Sequence, residues 1–186
     1  MLSQCGVRGV DLLIFVTLGG VVEFDFSRPL RLIDELVSDG VLRGNDVVAQ
    51  RGHSSYIPKN YSSFDFVDGD AFESYIDRAS LVICHGGVSS LVSSMRKGKK
   101  VIGFPRLSRF NEHLDDHQVE IVTKLADCGQ IMLATDKQSL SDCLLRADTF
   151  VPVQFKSDNS LMVNVLIDFI ECGTVFAAAK KAPERK

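Results

Sequence analysis

Two apolar runs, Leu81-Val82-Ile83-Cys84 and Val101-Ile102-Gly103-Phe104, stand on either side of a helix-length segment. Runs this short and this continuously apolar read as strands buried on both faces. Between them His85-Gly86-Gly87 breaks the first run, and the chain restarts as a helix over 89–95 with a serine placed to cap it. Gly98 ends that helix and Pro105 stops the second strand. Two buried strands joined by one helix lie parallel in the same sheet, and few folds accommodate that unit. A glycine turn that feeds a helix start also gathers free backbone N–H groups at one spot, where the helix dipole favours an anion.

The same alternation runs through the chain. A strand over 12–18 ends in Gly19-Gly20, and a helix over 29–37 shows Leu30, Ile33, Leu36 and Val37 before Gly40 closes it. A second strand is expected over 46–50, ending in the turn Arg51-Gly52-His53-Ser54-Ser55, and a third over 64–67. A helix over 70–78 puts Phe72, Tyr75 and Ile76 on one side. Beyond Pro105, a polar loop over 106–116 leads to a helix over 117–128 that Gly129 caps. A sixth strand over 131–134 and a short helix beginning at Ser139 follow, then an irregular stretch over 150–157 and a last helix over 159–170. The expected class is α/β, a doubly wound Rossmann-like parallel sheet covered on both faces. Ligands in such a sheet bind outside the carboxyl ends of the strands. The glycine breaks after strands one, two and four, and the loop after strand five, all fall at that edge.

A chain of 186 residues with 45% hydrophobic residues is long enough for one domain with a real core. The formal charge of −3 argues against a nucleic-acid-binding surface, so no nucleic acid is expected as partner. Basic residues do gather at Arg96, Lys97, Lys99, Lys100, Arg106 and Arg109. They are read first as a solvated turn, with an anionic lipid or a diphosphate as the alternative. Five cysteines without a CxxC pair read as buried free thiols of a reducing cytosol. No stretch approaches the ~20 apolar residues of a membrane span, so membrane association would need another component. GxGxxG is absent after the first strand and no GxxxxGK[ST] occurs, which argues against hydride transfer and nucleotide triphosphate hydrolysis. His113 and His117 stand four apart beside two aspartates, but HEXXH is not matched and the polar loop places His113 outside the helix. No metal is expected.

Four motifs occur in order: Thr17-Leu18-Gly19, the run from Gln50 to Pro58, His85-Gly86-Gly87, and the run from Asn111 to Gln118. Together, over roughly residues 12–136, they resemble the small nucleotide-sugar-binding subunits of split GT-B glycosyltransferases, which belong with the glycosyltransferase family 28 C-terminal domain. Relatives include the small subunit of the eukaryotic lipid-linked N-acetylglucosaminyltransferase and those of bacterial capsular and exopolysaccharide transferases. The resemblance implies the donor-binding half of a GT-B fold. It also implies a membrane-anchored partner subunit that supplies the acceptor-binding half and presents a lipid-linked acceptor.

Residue by residue, the resemblance assigns Gly86, Gly87, Ser89 and Ser90 to the diphosphate of a UDP-sugar, with His85 and Gln118 as the catalytic pair. Asp116 and His117 join Gln118 at the donor sugar, and Thr17, Gly19, Gly52 and Ser54 line the same cleft. Many family members carry a ribose-binding glutamate where this chain has Ser93, and Gly20 replaces a polar residue often seen there. Metal is not implied, and the acceptor-side base is assigned to the partner.

The implied function is transfer of a hexose-type sugar from UDP to a lipid-diphosphate-linked acceptor in capsule or exopolysaccharide assembly. It is set against a non-catalytic enhancer of a membrane-bound transferase and, as a different class, a free-standing nucleotide-sugar epimerase. The implied location is cytoplasmic, peripheral to the inner face of the membrane through the partner. Residues 1–10 are read as an extension, 11–150 as the nucleotide-sugar-binding domain, and 151–186 as linker, C-terminal helix and basic tail. The apolar helix, polar only at Asn164 and Asp168 between 161 and 170, is expected to pack on its own domain and on the partner.

Overall fold

The computed structural model describes residues 12–155. Its centre is a six-stranded, wholly parallel sheet in the order β3-β2-β1-β4-β5-β6. The strands are β1 (Ile14–Thr17), β2 (Val47–Gln50), β3 (Ser62–Phe64), β4 (Leu81–Cys84), β5 (Lys100–Gly103) and β6 (Met132–Leu133). Between them run α1 (Arg28–Ser38), α2 (Gly69–Arg78), α3 (Val88–Arg96) and α4 (His117–Asp127), and α5 (Lys137–Arg146) follows β6. Short 3₁₀ turns occupy Gly44–Asp46 and Ser108–Phe110. The doubly wound sheet read from the alternating pattern is therefore the observed fold.

Alternate residues of each central strand feed two separate cores. Ile14, Val16, Leu81, Ile83 and Ile102 pack with Leu30, Ile33 and Leu36 of α1 and with Leu140 and Cys143 of α5. Phe15, Val82, Cys84 and Val101 pack with Ile76 of α2, Leu91 and Met95 of α3, and Val122 of α4. Strands buried on both faces need no polar alternation, which is why they read as unbroken apolar runs. Two helices start on side-chain caps: Asp68 accepts from the Ala71 N–H, and Asp136 forms a capping box with Ser139.

Some expectations shift. The third strand lies earlier than the expected 64–67, because the parallel register pairs Ser62 with Val48 and Phe64 with Gln50. No serine caps α3; its N-cap is Gly87, and Ser89 falls inside the first turn. Cys84 and Cys143 are buried free thiols, but Cys128 is exposed. The basic residues do not form one solvated patch. Arg106 is buried, Lys97 pairs with Glu73 and Asp77, and Lys100 donates to the carbonyls of Ala147 and Asp148. Residues 150–155 stay on the domain, with Phe150 against the first core and Phe155 against the second. The N-terminal extension and the helix expected over 159–170 lie outside the described residues.

Asp34 of α1 organises the segment leading into β3. It is 4% exposed and accepts from the Tyr56 hydroxyl and from the N–H groups of Lys59 and Asn60. Asp34→Ala strands these donors and is expected to cost about 2–4 kcal/mol. Urea denaturation measures this, and a loss below about 1 kcal/mol would show that the carboxylate is not the anchor.

Candidate functional site

The sheet order places a topological switch between β1 and β4, whose chains leave in opposite directions and open a crevice at the carboxyl edge. The turns after these two strands carry Gly19 and His85-Gly86-Gly87. Gly19 has φ +74°, and a Cβ built there would lie 2.6 Å from Nε2 of His85. A Cβ on Gly87 would collide with the same nitrogen. One imidazole thus fills the space that two missing side chains leave. Further close approaches extend the cluster: Gly52 backs onto the carbonyl oxygen of Gly19, and a Cβ on Gly86 would lie 2.6 Å from that of Gln118. Glycines from three motifs, together with Gln118 of the fourth, meet at this edge.

Gly87 enters α3 in an extended conformation and offers no side chain to the helix start. The N–H groups of the first turn therefore point outward without a side-chain cap, with Ser89 exposed and Ser90 half-buried beside them. Donors, hydroxyls and the positive end of the helix dipole favour an anion there.

The remaining expected residues divide by what holds them. Gln118 is buried in the first turn of α4, and its Oε1 accepts from the backbone N–H of Arg106 at 3.2 Å, which orients the amide. Asp116 accepts from the N–H and hydroxyl of Ser108 at 2.8 and 2.9 Å, and so ties the loop to the start of α4. His117 is exposed, its Nδ1 3.8 Å from Glu120. Thr17 ends β1, buried, and its carbonyl accepts the His85 N–H. Ser54 is buried in the turn after β2. His85 is 8% exposed and its Nδ1 has no partner. Burial, with the Arg106 charge behind it, pushes its pKa down to about 4, so the ring is neutral at pH 7.

Sequence reasoning missed the residues that hold these loops together. The Arg106 guanidinium donates to the carbonyls of Leu18, Phe24 and Glu112 and lies 4.5 Å from the Phe26 ring centroid. Glu112, also buried, takes a bidentate pair from Arg28 at 2.8 Å each and the N–H of Leu107. Arg28 reaches on to the carbonyls of Pro105 and Thr135. Arg28 and Glu112 are 84 positions apart, and no local pattern links them. Another missed contact joins α2 to α3, where the Ser93 hydroxyl donates to Glu73. Among the described residues no group of three His, Cys, Asp or Glu converges as a metal site, and no helix is long and apolar enough to cross a membrane.

The model of the glycosyltransferase family 28 C-terminal domain matches residues 40–164, well over half of the chain. The chain belongs to that family. The match takes in three of the four motifs, and Thr17-Leu18-Gly19 lies ahead of it. The UDP-N-acetylglucosamine transferase subunit ALG13 of Yarrowia lipolytica is 27% identical over 140 residues, covering 69% of this chain and 68% of that protein. Its human namesake is 28% identical over 128 residues, which is 66% of this chain but only 11% of the human protein. The solution structure of ALG13 superposes with a TM-score of 0.57 at 20% identity, covering 83% of this chain and 94% of that one. The glycosyltransferase of kitacinnamycin gives a TM-score of 0.50 at 15% identity, covering 79% of this chain and 38% of that one.

The buried neutral imidazole has a pH signature. The unfolded chain takes up a proton on His85 near 6.5 and the folded chain only near 4. Its contribution to stability is therefore complete above pH 6.5 and fades as pH falls from there towards 4, by up to about 3 kcal/mol. Denaturation midpoints across this window should fall more steeply for the wild type than for His85→Gln. Parallel profiles would mean that the ring is not held neutral.

Proposed function

We propose that this chain is the donor-binding subunit of a two-component glycosyltransferase. It moves a hexose-type sugar from a UDP-sugar to a lipid-diphosphate-linked acceptor in capsular or exopolysaccharide assembly. The observation that carries the reading is the meeting of Gly19, His85, Gly86 and Gly87 with the uncapped start of α3 at the sheet's switch point. Membership of the family supports it.

In this reading the diphosphate rests on the first turn of α3, with the Ser89 and Ser90 hydroxyls beside it. As the bond from the sugar to the diphosphate breaks, negative charge gathers on the departing UDP, and these preorganised donors stabilise it without a metal ion. Because Oε1 of Gln118 is held by Arg106, its NH₂ is the end left to meet a sugar hydroxyl. His85, neutral and enclosed, keeps the Gly19 and Gly87 turns at their spacing. The base that activates the acceptor comes from the partner subunit.

A partner would cover the carboxyl edge, where Val22, Phe66, Val88, Phe110 and Leu114 are exposed on the loops and on the start of α3. A membrane-anchored partner would hold this chain at the cytoplasmic face. The names of the ALG13 relatives make UDP-N-acetylglucosamine a donor to test beside UDP-glucose.

Calorimetry on the whole chain should detect weak UDP binding that EDTA leaves unchanged, and strict dependence on a divalent cation would overturn the metal-free mechanism. In the complex with its membrane partner, Gln118→Ala should cost about 1–3 kcal/mol of transition-state binding, roughly 5- to 150-fold in rate. Full activity in that variant would remove Gln118 from the sugar site. Full activity also in variants of the α3 start would reduce the chain to an enhancer.

A further inference from the structure

Arg106 is a buried cation whose acceptors carry no charge. One terminal nitrogen donates to the carbonyls of Phe24 at 3.2 Å and Glu112 at 3.1 Å, and the other to that of Leu18 at 3.0 Å. Its Nε, also buried, has no partner. Two carboxylates act on it without pairing, those of Glu112 and Asp25, and both are engaged elsewhere. Glu112 is held in a bidentate pair by Arg28, which brings its own positive charge. Asp25 stands exposed at the rim and accepts from the Ser27 hydroxyl and the Ser55 N–H. Two guanidinium groups and one enclosed carboxylate leave the network with one positive charge in excess. A buried charge without a counter-ion is costly, and an anion arriving near by offsets that cost.

The excess charge lies behind the turns that form the crevice. Leu18, whose carbonyl it holds, is followed by Gly19, and the Gly19 turn packs against His85, as does Gly87 at the entry to α3. Its effect reaches that ring: burial, and after it the Arg106 charge, hold the His85 pKa at about 4. Enclosed charges are screened by water and salt far less than exposed ones, so an anion at the start of α3 would feel the same charge.

We propose that Arg106 is the built-in counter-charge of the crevice, favouring a diphosphate on the first turn of α3 through space and without touching it. The inference rests on the donor reading. It adds a residue that selects for the charge of the ligand, where the glycine turns select for its shape.

The competing role for Arg106 is a plain brace between loops, and the two roles lose different things. Substitution at 106 keeps the backbone N–H that orients Gln118, so that contact survives in any variant but proline. Titrations of the full chain, followed by NMR at about pH 6.5, would compare UDP with uridine, which carries no phosphate. Arg106→Gln should weaken UDP by about 10-fold, the order of one unit charge acting at an effective dielectric near 20, and leave uridine unchanged. Arg106→Lys restores the charge but not the planar fork, and should recover most of that loss. Equal weakening of UDP and uridine, or equal loss of UDP in both variants, overturns the proposal in favour of the brace. Unchanged UDP affinity in Arg106→Gln overturns it as well.

Should Arg106→Gln fail to fold, the lysine variant carries the test. A buried lysine loses its charge as the pH rises from about 6.5 to about 9.5, so UDP affinity should fall about 10-fold in the variant and stay level in the wild type. A level profile in the variant overturns the proposal. The His85 ring reads the same charge with no nucleotide present. Its pKa should rise from about 4 in Arg106→Gln and stay there in Arg106→Lys, and an unmoved ring in Arg106→Gln overturns the inference. A wild type that binds no UDP ends the donor reading and this inference with it, and the His85 titration tells that failure from an absent field.

Discussion

Burying an arginine is costly, and Arg106, at 2% exposure, offsets part of that cost by donating from its two terminal nitrogens to backbone carbonyls from both ends of the site, while its Nε has no partner. Its guanidinium takes the carbonyls of Leu18 and Phe24 from the loop after β1 and that of Glu112 from the loop after β5. Its own N–H orients Gln118. The Glu112 carboxylate then receives Arg28, whose other donors reach the strand ends at Pro105 and Thr135. Two cations and one anion therefore fix the loops after β1, β5 and β6 against the start of α1. With this many donors engaged, the network favours one arrangement of the crevice, because an alternative would leave more of the desolvated charge unmatched.

The fold was legible because a parallel sheet leaves a direct trace, apolar runs of strand length separated by helical spacing. The glycine turns were legible for a related reason, since a backbone that must turn sharply at a strand end selects that residue. What could not be read was which atoms fill the turns. Arg106 looked like one more solvated base because its acceptors are main-chain oxygens from residues 18 and 24, and main-chain oxygens have no sequence signature. The third strand is expected over 64–67, yet Phe66 lies past the last paired residue and packs on His53 with ring centroids 4.8 Å apart. The serine after Gly87 suggested a cap by composition, whereas the glycine itself takes the capping position.

The two edges of the sheet are blunted by different means. β3 is three residues long and opens with two serines. β6 has two residues, and residues 150–155 pass from one core to the other beside it, with the Val153 N–H donating to the carbonyl of Gly129. Short or covered edges discourage strand addition. Among the described residues this leaves loops and helix faces as the natural surfaces for association.

The imidazole of His85, in contact range of both Gly19 and Gly87, makes two turns far apart in the chain into one unit of inheritance. A side chain at 19 or 87 collides with the ring, while a smaller residue at 85 leaves a void and frees both turns. Each position is therefore intolerant when changed alone, and a descendant that altered the ring would need its neighbours altered in the same lineage. The crevice can drift in its rim residues, but its floor evolves as a block.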